Sequence, residues 1–324
     1  MYLLFLVAGT STFISLNRRS TALYVRERVM RLLIPVFTFM IFLFPVLGYF
    51  WPPAQYMIGT DFLKQFWPWC LSTTFYSPVT HGPNWGHMRF AGYLFIYSLI
   101  LLPVFLRMRT GRSPLTGSFT SFLTGRTGMI FLVGIPIALT FALLSPIWPF
   151  FRNNLYSDWG YFTYNMSAFI FGFIIARDPA WMGAFKRHAA AALVLGMLFS
   201  AAKIHMQYGM PSFSRPAYSM NYAVYSLVAG FNTWSWIIAI LSIAGRKLSF
   251  TNRFLRYFNR ISYPMYILHL VVISAAGYFI TRMRLGTVVE FTVICLTAFV
   301  TCVAVCELVK RTPVTRFLLG IKGK

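Results

Sequence analysis

His269 closes the run Ile261-Ser262-Tyr263-Pro264-Met265-Tyr266-Ile267-Leu268-His269, eight residues into an apolar segment. At a helical rise of about 1.5 Å per residue it lies roughly 12 Å deep. Ionisable side chains at such depth are costly, and imidazole titrates near neutral pH. His269 is therefore a candidate general base or orienting donor. A neutral imidazole bonded across helices to a tyrosine or serine fits the same position. His87 lies in Asn84-Trp85-Gly86-His87-Met88-Arg89-Phe90, at the mouth of another apolar run. His87, Arg89 and Trp85 beside glycines suit a sugar-facing pocket, because flat aromatic faces pack on sugar rings. An aromatic belt at the membrane interface, with an ordinary surface histidine, accounts for the same residues. A third group is Arg26-Glu27-Arg28-Val29-Met30-Arg31. Arg28 and Arg31 are three apart and share a face if helical. Guanidinium forks match phosphate oxygens, so Arg26, Arg28 and Arg31 could hold a phosphorylated donor. Orientation charge in contact with lipid headgroups is the plainer alternative.

Other chemistries find little support. No P-loop, dinucleotide fingerprint or zinc-protease helix occurs. Cys70, Cys295, Cys302 and Cys306 read as free thiols, and no histidine or second cysteine pair stands at zinc-ligand spacing. No metal is expected. Glu290 and Glu307 lie about 25 Å apart along one helix and cannot form a catalytic carboxylate pair.

The elements that must position these residues are membrane helices. The chain is 58% hydrophobic and 11% charged, too little polar material to cover a soluble globule of 324 residues. Runs long enough to span a bilayer fall at 1–16, 32–50, 90–106, 127–148, 161–176, 189–206, 221–244, 261–280 and 287–309. This pattern predicts an all-α, polytopic membrane protein of about nine helices, forming one membrane-embedded domain over 1–324. Pro35, Pro45, Pro103, Pro136 and Pro264 fall inside spans, where neighbouring helices can satisfy the carbonyls they free. The stretch 51–89 is the one long loop, so it is functional or partly helical.

Charge gives the orientation. Of the 29 Lys and Arg residues, 22 fall in alternate gaps: 17–31, 107–126, 177–188, 245–260 and 310–324. Basic loops are retained in the cytoplasm, which puts the C-terminus inside. The net charge of +23 is then a topology signal, and no nucleic-acid partner is expected. With nine spans Met1 lies outside, yet the first run is about 16 residues long and has no polar flank. A further helix is expected to have preceded it, giving ten spans with both ends inside and an N-terminally truncated chain.

Four stretches carry a family resemblance: Leu4–Phe13; Arg26–Pro35; Gly86-His87-Met88-Arg89-Phe90 with Tyr93 and Tyr97; and Ser262–His269. In order and spacing they resemble the acyltransferase type 3 family of multi-span membrane enzymes, most closely the branch that decorates periplasmic glucans. Two departures stand out. The family's first helix, with a basic residue and a catalytic histidine, would precede Met1, and Arg89 stands where a Trp is usual. The resemblance implies a bacterial inner-membrane O-acyltransferase. Acyl-CoA would be its donor, a carbohydrate its acceptor and membrane lipid its surroundings, with no permanently bound cofactor. It implies donor phosphates on Arg26, Arg28 and Arg31, catalytic or supporting roles for His269 and His87, and substrate contacts from Asn84, Trp85 and Tyr266. The alternative is a non-catalytic transporter or partner subunit descended from such an enzyme. Oligomeric state has no sequence signal.

Overall fold

The computed structural model describes residues 1–50, 67–75, 85–110, 114–148, 157–248 and 250–321. Every regular element among them is helical. The first half contains α1 (Tyr2–Arg18), α2 (Thr21–Tyr49), α3 (Trp67–Phe75), α4 (Arg89–Ile100), α5 (Leu102–Thr110), α6 (Pro114–Gly125) and α7 (Gly134–Leu144). The second half contains α8 (Trp159–Arg177), α9 (Ala180–Arg187), α10 (Ala189–Ile204), α11 (Met220–Lys247), α12 (Arg253–Ile280), α13 (Thr287–Val309) and α14 (Pro313–Leu318). Two π turns, Val29–Leu33 and Phe39–Leu43, interrupt α2 without ending it. Side-chain caps start the later helices: Ser219 accepts from Tyr222 N, and Asn252 from Leu255 N at 2.7 Å.

Five helices are long and apolar enough to cross a membrane, or seven if each of two bent pairs is one span. The chain is a multi-pass membrane protein. Its helices carry large side chains with no protein cover, among them Leu198 (60% exposed), Phe291 (68%) and Val300 (63%), as lipid-facing surfaces do. Two further predicted runs, 1–16 and 127–148, are met by shorter helices: Tyr2–Arg18 of 17 residues, and Met129–Leu144.

Three boundaries differ from the sequence expectation. The basic gap 17–31 is not a loop: only Arg19 and Ser20 separate α1 from α2. Ser20 Oγ accepts from Leu23 N at 3.3 Å, and the Arg and Glu residues that follow are good helix formers. The run 90–106 breaks between α4 and α5 with a 56° bend at Pro103, whose missing N–H interrupts the ladder. The gap 177–188 is mostly helix, with α9 bent 103° from α8 at Asp178-Pro179. Most of 51–89 lies outside the described residues, but α3 makes it partly helical.

Residue contacts divide the chain into two compact units. The first comprises 1–24 and 96–250. There α1 packs on α8 through glycines that let the backbones touch: a Cβ on Gly9 would stand 2.1 Å from Phe169 O, and one on Gly172 1.9 Å from Leu6 O. Trp234 Nε1 donates to Ile130 O at 2.7 Å, and Gly230 sits against Gly134 O, which joins α11 to α7. The second unit comprises 25–95 and 251–324 and contains most of α2, the start of α4, and α12, α13 and α14. In it Glu307 accepts from Tyr257 Oη at 2.6 Å and Lys310 Nζ at 2.7 Å. All four cysteines are free.

Candidate active site

The second unit holds both candidate histidines. His269 is the seventeenth residue of the 28 in α12, so it lies mid-helix. The reason is that α12 begins at Arg253, capped by Asn252, a full two turns before the apolar run. Tyr263, Tyr266 and His269 recur every three residues on one face and stack as a ladder of rings. Their centroids are 6.3 Å and then 5.9 Å apart, with interplanar angles of 28° at both steps.

His269 Nδ1 lies 2.6 Å from Tyr266 O. A carbonyl oxygen can only accept, so Nδ1 carries the hydrogen, and in the neutral ring Nε2 holds the lone pair. The ring is thereby fixed as a base presented through Nε2.

His87 meets this ladder from the short 3-10 turn Gly86–Met88 that opens α4. Its ring lies 5.3 Å from that of His269 and 5.5 Å from that of Tyr266, edge to face in both cases. The Phe39 ring also packs on it, edge to face at 4.5 Å. The Tyr266 hydroxyl donates to the His87 carbonyl, tying the turn to α12. Both ring nitrogens of His87 are buried, and neither makes a well-formed hydrogen bond, although the Tyr266 and Ile267 carbonyls lie nearby. A buried polar group left unmatched costs about 1–3 kcal/mol. Such a group belongs where a bound molecule supplies the missing partner.

At the other end of the ladder, the Arg31 guanidinium is within electrostatic reach of the Tyr263 hydroxyl, which is buried and has no hydrogen-bond partner. The predicted residues are thus only partly assembled. His87, His269 and Tyr266 come together, and Arg31 stands beside Tyr263. Arg26 and Arg28 lie earlier on α2, Arg26 exposed and Arg28 half-buried. Trp85 packs over Gly92, where a Cβ would stand 2.6 Å from its ring, and 5.7 Å from the Tyr93 ring. Asn84 lies outside the described residues.

Phe39 and Tyr263 were not singled out from the sequence. The three-residue recurrence of rings before His269 could have revealed Tyr263. Nothing local marks Phe39, whose contact with His87 spans 48 residues of chain and depends on a π turn. No three His, Cys, Asp or Glu side chains among the described residues gather as a metal site requires.

Residues 1–307 match the family model described as an acyltransferase domain. No curated protein and no solved structure gives a significant match.

Proposed function

Because the chain belongs to this acyltransferase family, a membrane-embedded one here, we propose that it moves an acyl group from acyl-CoA to a hydroxyl of a cell-envelope carbohydrate. The observation that carries the reading is the facing pair His269 and His87, one imidazole presenting a lone pair and the other with buried, unmatched nitrogens.

In the proposed reaction the acceptor hydroxyl lies against His269 Nε2. The nitrogen takes the hydroxyl proton as the oxygen bonds to the thioester carbonyl carbon, a form of base catalysis typically worth about 10²–10⁴-fold. The Nδ1–H bond to Tyr266 O steadies the imidazolium that forms. Neutral His87 keeps one N–H, which can meet the negative charge growing on the carbonyl oxygen. The intermediate then collapses: the C–S bond breaks, the ester remains on the sugar, and His269 returns the proton to the thiolate. CoA phosphates would lie on the basic end of α2, with Arg31 nearest the ladder. Six residues separate Tyr263 from His269, about 9 Å of helix along which the donor arm can run toward the histidines. Trp85 and Asn84 would face the acceptor. The membrane would be a bacterial inner membrane, with the basic gaps and the C-terminus in the cytoplasm.

The test is transfer from radiolabelled acetyl-CoA or succinyl-CoA to periplasmic glucans by purified protein. His269→Gln should lower kcat by about 10²–10⁴-fold with the donor KM unchanged. Arg31→Gln should instead raise the donor KM. Full activity in His269→Gln would remove it as the base, and failure of wild-type protein to label any carbohydrate would remove the acceptor class.

A further inference from the structure

Two arginine side chains come together in the first unit, on residues that the acyl-transfer reading does not use. The turn after α6 and the helix α9 enclose a cavity of about 430 Å³. Arg126, Arg187 and His188 line it together with Thr124, Thr127 and Gly183, and no carboxylate is among the described lining residues. A neighbouring cavity of about 440 Å³ makes the contrast: it contains Arg177 but also Asp178, so its charge is balanced.

The cationic groups are held in advance. Arg187 Nη2 donates to Thr124 O at 2.5 Å, leaving the rest of its donor fork for another acceptor. The Arg126 guanidinium rests 5.6 Å from the centroid of the Phe122 ring. His188 fastens the turn itself. Its Nδ1 is 2.9 Å from Ala184 O and therefore carries the hydrogen, so Nε2 accepts from Gly128 N at 3.2 Å. That bond holds Gly128 at φ +81, a conformation suited to glycine, while open space surrounds the Cα atoms of Gly125 and Gly128. An exposed glycine turn flanked by two restrained guanidiniums is a setting in which phosphate oxygens find both charge and directed donors. Restraint before binding also lowers the ordering cost on association.

The position of α6 bears on the source of the anion. At 12 residues it is too short to span a bilayer, and it exposes Phe119 and Phe122, three apart, immediately before Arg126. An apolar face ending in a cation belongs at headgroup level. We infer that this cavity binds a phosphate group, from either an anionic lipid headgroup or a soluble phosphate ester.

Two arms separate the sources. In the first, full-length protein in neutral detergent is titrated with inorganic pyrophosphate by calorimetry. In the second, protein from nanodiscs of mixed phosphatidylglycerol and phosphatidylcholine is assayed by native mass spectrometry for retained lipid. Each arm uses wild type, Arg126→Gln and Arg28→Gln. The Arg126 guanidinium rests on the Phe122 ring, whereas the turn is fastened by Arg187 and His188, so its replacement should leave the turn intact, which an unchanged melting temperature verifies. The expected result is saturable binding in one arm, weakened at least tenfold in Arg126→Gln and unaltered in Arg28→Gln. The arm that responds names the source. No saturable binding in either arm, or binding that Arg126→Gln leaves unchanged, overturns the inference. Arg28→Gln also keeps the outcome separate from that of the donor site proposed on α2.

Discussion

Replacing Tyr266 with phenylalanine isolates one bond at the centre of the proposed site. Tyr266 acts in three ways: its hydroxyl donates to the His87 carbonyl, its own carbonyl orients His269, and its ring packs against both imidazoles. Phenylalanine retains the ring and the carbonyl and deletes only the hydroxyl. A neutral hydrogen bond contributes about 1 kcal/mol net, rising toward about 2 kcal/mol if the buried carbonyl is left unmatched. The bond ties the Gly86–Met88 turn to α12, so its loss falls on the placement of His87. Within the turn, Met88 N donates to Trp85 O at 2.9 Å, a contact internal to its own segment. At about 1.4 kcal/mol per tenfold, 1–2 kcal/mol corresponds to a fall in kcat of about 5- to 30-fold. Donor KM should not move, because Arg31 and Tyr263 are untouched. The assay is steady-state acyl transfer with the donor varied at saturating acceptor, beside a melting curve. A fall as deep as that of His269→Gln would mean that the hydroxyl touches the reacting atoms, and no fall would mean that His87 needs no tether. Either result refutes the positioning role.

Gly172→Ala should destabilise the first unit strongly. Its Cβ would stand 1.9 Å from Leu6 O, and ordinary contact begins at 3.4 Å, so α1 and α8 must separate by about 1.5 Å. Overpacking costs about 1–3 kcal/mol, and opposed backbones put this variant at the upper end. A wild-type melting temperature in detergent would refute the close approach. Gly92→Ala should push the Trp85 ring from its seat, with the Cβ at 2.6 Å, and raise the acceptor KM while leaving the donor KM alone. An unchanged acceptor KM would separate Trp85 from the acceptor.

How much of this was legible in advance varies with the kind of signal. Hydropathy located the helices well where the lipid-compatible run and the hydrogen-bond ladder stop together: 287–309 coincides with Thr287–Val309, and 221–244 falls within Met220–Lys247. It failed where they diverge. Residues 253–260 carry three arginines and fall outside any apolar run, yet Asn252 caps them into the first turns of α12. The same difference hid the helical character of the basic gap after α1. At the site, His269 stood out because a deep ionisable group has few structural explanations, whereas His87 was marked by its place beside glycines at the mouth of a span and Tyr266 only by the family resemblance. Their mutual contact was not, since it joins segments 179 residues apart. Arg26, Arg28 and Arg31 were read as a group from spacing alone, and only Arg31 stands beside the ladder.

The reason lies in the π turns of α2, which are themselves a consequence of sequence. Each precedes a proline by two residues: Val29–Leu33 before Pro35, and Phe39–Leu43 before Pro45. A proline ring collides with the carbonyl four residues earlier, and a widened turn relieves the collision. The ladder is re-formed one residue late, with Ile34 N donating to Val29 O and Phe44 N to Phe39 O. Widening also resets the face. In a regular helix the eight residues from Arg31 to Phe39 advance by about 100° each, about 80° beyond two full turns. Arg31 sits in the middle of the first π turn, and the smaller rotation per residue over the rest of that turn narrows the offset between the two side chains. Arg31 then comes within electrostatic reach of Tyr263 at one end of the α12 ladder, and Phe39 meets His87 at the other. The carboxyl-terminal segment closes on the same feature: Gly320, at φ +64, leaves room for Pro35 and Tyr263, which a Cβ there would approach to 3.0 and 3.2 Å. Two prolines ten residues apart thus do more than kink a span. They set the register in which a single helix serves both the donor end and the histidine end of the proposed site.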